Sequence, residues 1–95
     1  MDCKIVKFSR HALERMFERG VSEPDVEAII RNGEAIEKYL EDTPYPSRLL
    51  LGWRGDRPLH VVAAHDPASG LCVVITAYVP DATQWGKDFR ARRYV

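Results

Sequence analysis

A chain of 95 residues, 45% of them apolar, has the size and composition of one globular domain and lies far outside the disordered range. Its 14 basic and 14 acidic residues cancel, which excludes a uniformly basic nucleic-acid binder and leaves only a local anion site open. No apolar run approaches the roughly 20 residues that span a bilayer, and residues 1–4 lead directly into a folded-looking segment, so neither a membrane anchor nor a secretory signal is expected.

Ile5 to Phe8 alternates weakly and reads as a short strand. Ser9 is a good N-cap, and Ala12, Leu13, Met16 and Phe17 recur at helical spacing as a buried stripe, ended at Gly20. Ser22 starts a second helix with Pro24 in its first turn; Val26, Ile29 and Ile30 form its apolar stripe, and Asn32-Gly33 stops it. Beyond Gly33 the period changes. Residues 35–40, 48–54, 59–66 and 71–79 read as strands, separated by a proline turn at 42–46, a two-residue turn at Gly55-Asp56 and a longer one at 67–70. Such short connections demand antiparallel neighbours. The expected fold is α+β: two N-terminal helices packed on a four-stranded antiparallel sheet, or a five-stranded one if the first strand joins. Residues 1–95 form a single domain in this reading, with 83–95 as a basic C-terminal helix or a frayed tail.

The last hairpin has two possible registers. A four-residue turn puts Asp66 opposite Leu71 and places His65, Thr76 and Tyr78 on one face. A slip by one gathers Leu59, Val61, Ala63, Leu71, Val73, Ile75 and Ala77 on an apolar face and leaves His60, Thr76 and Tyr78 on the other. Only a bulge reconciles them.

Charge is unevenly distributed, with basic ends around an acidic 20–42. Cys3 and Cys72 are too few for a disulfide framework and lie in no metal-ligand spacing, which predicts reduced thiols and a cytoplasmic location. His60 and His65 are an odd number apart on one strand and point to opposite faces, so no shared metal site is expected. His11, Arg15 and Arg19 fall at i, i+4 and i+8 and line one helix ridge; guanidinium forks grip phosphate, and imidazole moves a proton near neutral pH. The plain alternative is a solvated face balanced by Glu14 and Glu18. His60 stands in an apolar strand, where a satisfied sheet-face histidine is the plain reading. Thr76 and Tyr78 offer hydroxyls on one face, as ordinary strand propensity also would. Arg48 is a phosphate contact or a surface residue; Trp53 and Trp85 read as packing anchors.

The segment Phe8-Ser9-Arg10-His11-Ala12-Leu13-Glu14-Arg15-Met16-Phe17-Glu18-Arg19-Gly20-Val21 resembles the F-S-x-H-A-x-x-R-M-x-x-R-G-I opening of a bacterial family without settled activity. Further matches lie in residues 42–52, 57–62 and 76–80. The helix–helix–sheet order resembles the RelE/ParE superfamily and MqsR-like toxins. That resemblance implies the toxin of a type II toxin–antitoxin pair, a cofactor-free and metal-independent endoribonuclease, neutralised by a protein antitoxin of zinc-finger or helix-turn-helix type. His11 or His60 would serve as the base, Arg15 and Arg48 would stabilise negative charge, and Tyr78 would orient the phosphate or assist the leaving group, with Arg19 and Thr76 as further RNA contacts. The alternative is a non-catalytic protein-binding module of the same fold; a homodimer paired through a sheet edge is compatible with either.

Overall fold

The computed structural model describes residues 1–93, so the part of the tail expectation that falls on 94–95 lies outside the described residues. The elements run β1 (Ile5–Phe8), α1 (Arg10–Arg19), α2 (Glu23–Asn32), β2 (Glu34–Tyr39), β3 (Ser47–Arg54), β4 (Arg57–Asp66) and β5 (Leu71–Tyr78). Both helices begin as the sequence predicts. The Ser9 hydroxyl accepts from the Ala12 amide and the Ser22 hydroxyl from the Asp25 amide, each satisfying an otherwise orphaned donor. Gly20 closes α1 in the left-handed region at φ 66°, which a side chain would resist.

The sheet has five strands in the order β1-β5-β4-β3-β2 and is mixed, not antiparallel throughout. β1 joins it, but parallel to β5, because the α1–α2 pair and three further strands intervene before β5 and allow a long return. The hairpin ambiguity is resolved by a bulge between Val62 and Ala63 in the β4–β5 register. Asp66 lies opposite Leu71, as the turn requires, and His60 nevertheless lies opposite Tyr78. Ile75 is the extra residue, and it restores the apolar pattern halfway along the strand.

The helices cover one face. Leu50, Val61 and Ala77 sit side by side there, with Ala63 and Val74 further along, against Met16, Val26, Ile29 and Ile30. Gly52 lets α2 approach β3, since a Cβ there would collide with the Ile29 side chain. The α1 stripe is narrower than expected. Ala12 and Met16 are buried, but Leu13 is 38% and Phe17 89% exposed. Adjacent helical residues point about 100° apart, so a helix resting mainly on β5 buries only its i, i+4 row.

Two expectations need correction. Cys3 and Cys72 are not free thiols but a disulfide that ties the segment before β1 to β5. Residues 83–93 form neither a helix nor a frayed end. They fold back as an irregular strap, with an isolated bridge between Trp85 and Arg92, because Trp85 and Phe89 find a sheet face to bury against. Among the described residues no helix is long and apolar enough to cross a membrane.

Candidate functional site

Strand alternation places Glu37 on β2, Leu49 and Leu51 on β3, His60 and Val62 on β4, and Thr76 and Tyr78 on β5 on the face away from the helices. The strap from Asp81 to Arg93 lies over this face. Trp85, 3% exposed, sets its ring edge-on to His60 with centroids 4.4 Å apart, and Phe89 stands edge-on to Trp53 at 5.9 Å. Arg90 pairs with Glu34 at 2.8 Å, and Arg92 approaches Glu37 at 3.7 Å while its guanidinium lies 4.8 Å from the Trp85 ring centre.

His60 is fully buried and both ring nitrogens are engaged: Nε2 lies 2.9 Å from the Phe89 carbonyl oxygen and Nδ1 lies 3.3 Å from the Tyr78 hydroxyl. Phe89 holds its carbonyl there from a left-handed backbone, φ 60°, the one non-glycine residue with positive φ among the described residues. Burial lowers the His60 pKa below the ordinary histidine value, opposed by the Phe89 bond and the Glu37 carboxylate and aided by Arg92. The imidazole is therefore neutral at physiological pH. Burial also raises the Tyr78 phenol, with Arg92 pulling it back and Glu37 adding to the rise. Tyr39 donates to Glu37 at 2.7 Å, and burial together with that bond pushes it up to about 12.

Tyr78 opens on its other side into a cleft of about 510 Å³, lined also by Arg19, Asp81, Gln84, Trp85 and Arg92. Arg19 reaches across from the last turn of α1 and uses one terminal nitrogen for the Ala77 carbonyl at 3.0 Å and the Thr76 hydroxyl at 3.3 Å. Its remaining donors make no hydrogen bond among the described residues. Two guanidiniums thus share one cleft with a phenol, with Asp81 as the opposing charge; the Thr83 amide and hydroxyl hold that carboxyl below the usual range. Such a cleft suits a phosphate or phosphodiester.

Of the residues singled out in the sequence, Arg19, His60, Thr76 and Tyr78 come together here. His11 and Arg15 stay exposed on α1, and Arg15 approaches Glu18 at 3.9 Å. His11 lies two turns from Arg19, about 12 Å along the helix axis. Arg48 pairs with Ala63 and points to the helix side of the sheet, away from the cleft. Sequence reasoning missed Arg92, Gln84 and Glu37. A tail carrying two aromatics among polar residues was the available signal, since Trp85 and Phe89 require a surface to cover.

The chain belongs to the family described as "Domain of unknown function (DUF4258)", which residues 8–79 match. No curated protein and no solved structure matches it. The matched span contains Arg19, His60, Thr76 and Tyr78 and ends before the strap that supplies Arg92.

Proposed function

We propose that this protein is a RelE-like toxin of a type II toxin–antitoxin pair, a metal-independent endoribonuclease acting at the cleft between α1, the end of β5 and the strap. The observation that supports this most is the convergence of Arg19 and Arg92 with the Tyr78 phenol on one open cleft. A scissile phosphodiester seated there meets two bidentate donors, which stabilise the charge that builds on its oxygens as the ribose 2′-hydroxyl attacks. Among the described residues Tyr78 is the only lining hydroxyl, and a buried base stands behind it. His11 and Arg15 extend the basic ridge along α1 and take flanking phosphates, at a distance too great for the scissile bond. With zero net charge, affinity for RNA rests on this local cluster, and a protein antitoxin would inactivate the toxin by covering it.

A second reading, a protein-binding module without catalysis, is favoured by Phe17, which stands 89% exposed on α1 beside half-covered Leu13. Expression of the chain alone in a bacterial host separates the two. Growth arrest with fragmented RNA, lost in folded Arg19→Ala and Tyr78→Phe variants, is the expected result for the nuclease. Normal growth and intact RNA at high soluble expression would overturn it and leave the binding module.

A further inference from the structure

The two contacts of His60 fix where its proton sits. A carbonyl oxygen only accepts, so the 2.9 Å contact with Phe89 requires hydrogen on Nε2. A neutral imidazole carries one N–H, so Nδ1 is bare, and the Tyr78 hydroxyl at 3.3 Å must be the donor. With its hydrogen turned inward, the phenol presents lone pairs to the cleft. It is arranged to accept a proton there, and the imidazole behind it is arranged to take the phenol's own.

The geometry points to a two-residue proton relay, in which Tyr78 alone meets the ligand and His60, sealed beneath Trp85 and the strap, acts through it as a positioning residue whose tautomer is set by the Phe89 carbonyl. The inference rests on the ribonuclease reading for the identity of the hydroxyl being deprotonated. In that reaction the 2′-hydroxyl proton passes to the Tyr78 oxygen while the phenolic proton passes to His60 Nδ1. The 2′ oxygen forms its bond to phosphorus and the bond from phosphorus to the 5′ oxygen breaks, leaving a cyclic phosphate. The departing 5′ oxygen takes a proton from water in the open cleft. The resulting hydroxide is neutralised when His60 returns its proton through Tyr78, so no net proton is consumed. The transient imidazolium keeps its Nε2–H bond to Phe89. Of the charged groups around it, Glu37 from β2 favours that cation, while Arg92 from the strap opposes it; Tyr78 from β5 and Trp85 are neutral. An exposed histidine would need no such arrangement, and a merely packed one would need no carbonyl held in place by a left-handed Phe89.

Two measurements on the full chain test the relay. Correlation of the imidazole nitrogens with ring protons by 15N NMR is expected to show His60 with hydrogen on Nε2 and a bare Nδ1, unmoved over the range in which an exposed histidine titrates. Tyr78→Phe should shift the Nδ1 signal and leave Nε2 in place. Hydrogen on Nδ1, or an ordinary titration, would overturn the relay whether or not RNA is cleaved. In the cleavage assay, His60→Asn supplies an acceptor oxygen near the Nδ1 position but cannot take up a proton. It is expected to retain RNA binding and to lose about 10²–10⁴-fold in rate, as Tyr78→Phe does. The double variant should lose no more than either single one, because the two groups act as a unit. Losses that multiply, or a His60→Asn loss of only a few-fold, would overturn the relay. A wild-type chain that cleaves no RNA while its His60 holds the stated tautomer overturns the nuclease reading and leaves the relay to serve another hydroxyl ligand.

Discussion

On its helix side the sheet presents Leu50, Val61, Val74 and Ala77 to a continuous apolar layer, closed by two capped helices. On the other side the same strands present Glu37, His60, Thr76 and Tyr78, closed by a strap without regular secondary structure and tied down by Arg90–Glu34, Arg92–Glu37 and one imidazole–carbonyl bond. The first closure relies on buried area and tolerates no polar atom without a partner. The second relies on specific polar contacts, and these leave a cleft and a directed hydroxyl. The helix-side core and the cleft are thereby separated by the thickness of one sheet, and mutations on the two sides should report on different properties.

The largest expected effect lies on the helix side. Ile30→Ala removes a fully buried side chain from the core and should lower global stability by about 2–5 kcal/mol in denaturant unfolding, with no change in the His60 tautomer of the folded fraction. Reduction of the Cys3–Cys72 bridge, which joins residues 69 apart, should lower stability by about 2–4 kcal/mol in the same measurement. It too should leave the cleft unaltered, since the bridge lies within the helix-side core. Should either change disturb the His60 signal in folded protein, the two faces are coupled and the separation fails.

A smaller effect, of different character, belongs to the strap side. The His60 pKa is lowered in the folded chain, from an ordinary value of 6.5. Above that value the imidazole is neutral in both states and the stability is fully present. As pH falls through it the unfolded chain binds a proton that the folded chain refuses, so stability is lost progressively towards the depressed folded value. The slope for one proton is at most about 1.4 kcal/mol per pH unit. Unfolding curves taken across this window should be steeper in pH for the wild type than for His60→Asn. Equal slopes would mean that His60 is not held neutral by burial.

Much of the helix-side construction is legible in the sequence, because it is local. Ser9, Gly20, Ser22 and Pro24 mark helix boundaries by short-range chemistry, and Gly55-Asp56 fixes a turn by backbone freedom alone. The strap side is legible only in part. His60, Thr76 and Tyr78 follow from strand alternation once their register is known, but that register depends on a bulge whose position no pattern announces. The parallel pairing of β1, the Cys3–Cys72 contact and the return of Trp85, Phe89 and Arg92 over β4 are long-range facts, each joining residues that nothing in their own neighbourhoods connects. The Phe89 carbonyl is a backbone atom and leaves no mark in composition. Arg48 shows the reverse: its residue type and its place after a proline turn suit a phosphate contact or a surface position alike, and strand alternation turns it to the helix side, away from the cleft.

That last residue gives the smallest expected effect and the sharpest test of the two-face division. Arg19, exposed, and Arg48, half-buried, both lie within the family-matched span but on different sides of the sheet. If RNA lies along the cleft, Arg19→Ala should weaken binding to every sequence alike and reduce the salt dependence of binding by about one counterion. Arg48→Ala should leave both affinity and salt slope at wild-type values, and stability within about 0.5 kcal/mol. Binding measured at several salt concentrations distinguishes them without any need for cleavage. Equal losses from the two substitutions would carry the nucleic acid past the end of β5 that β1 leaves unpaired and onto the helix side, where the exposed His11 and Arg15 ridge would then be the principal contact and the cleft a secondary one.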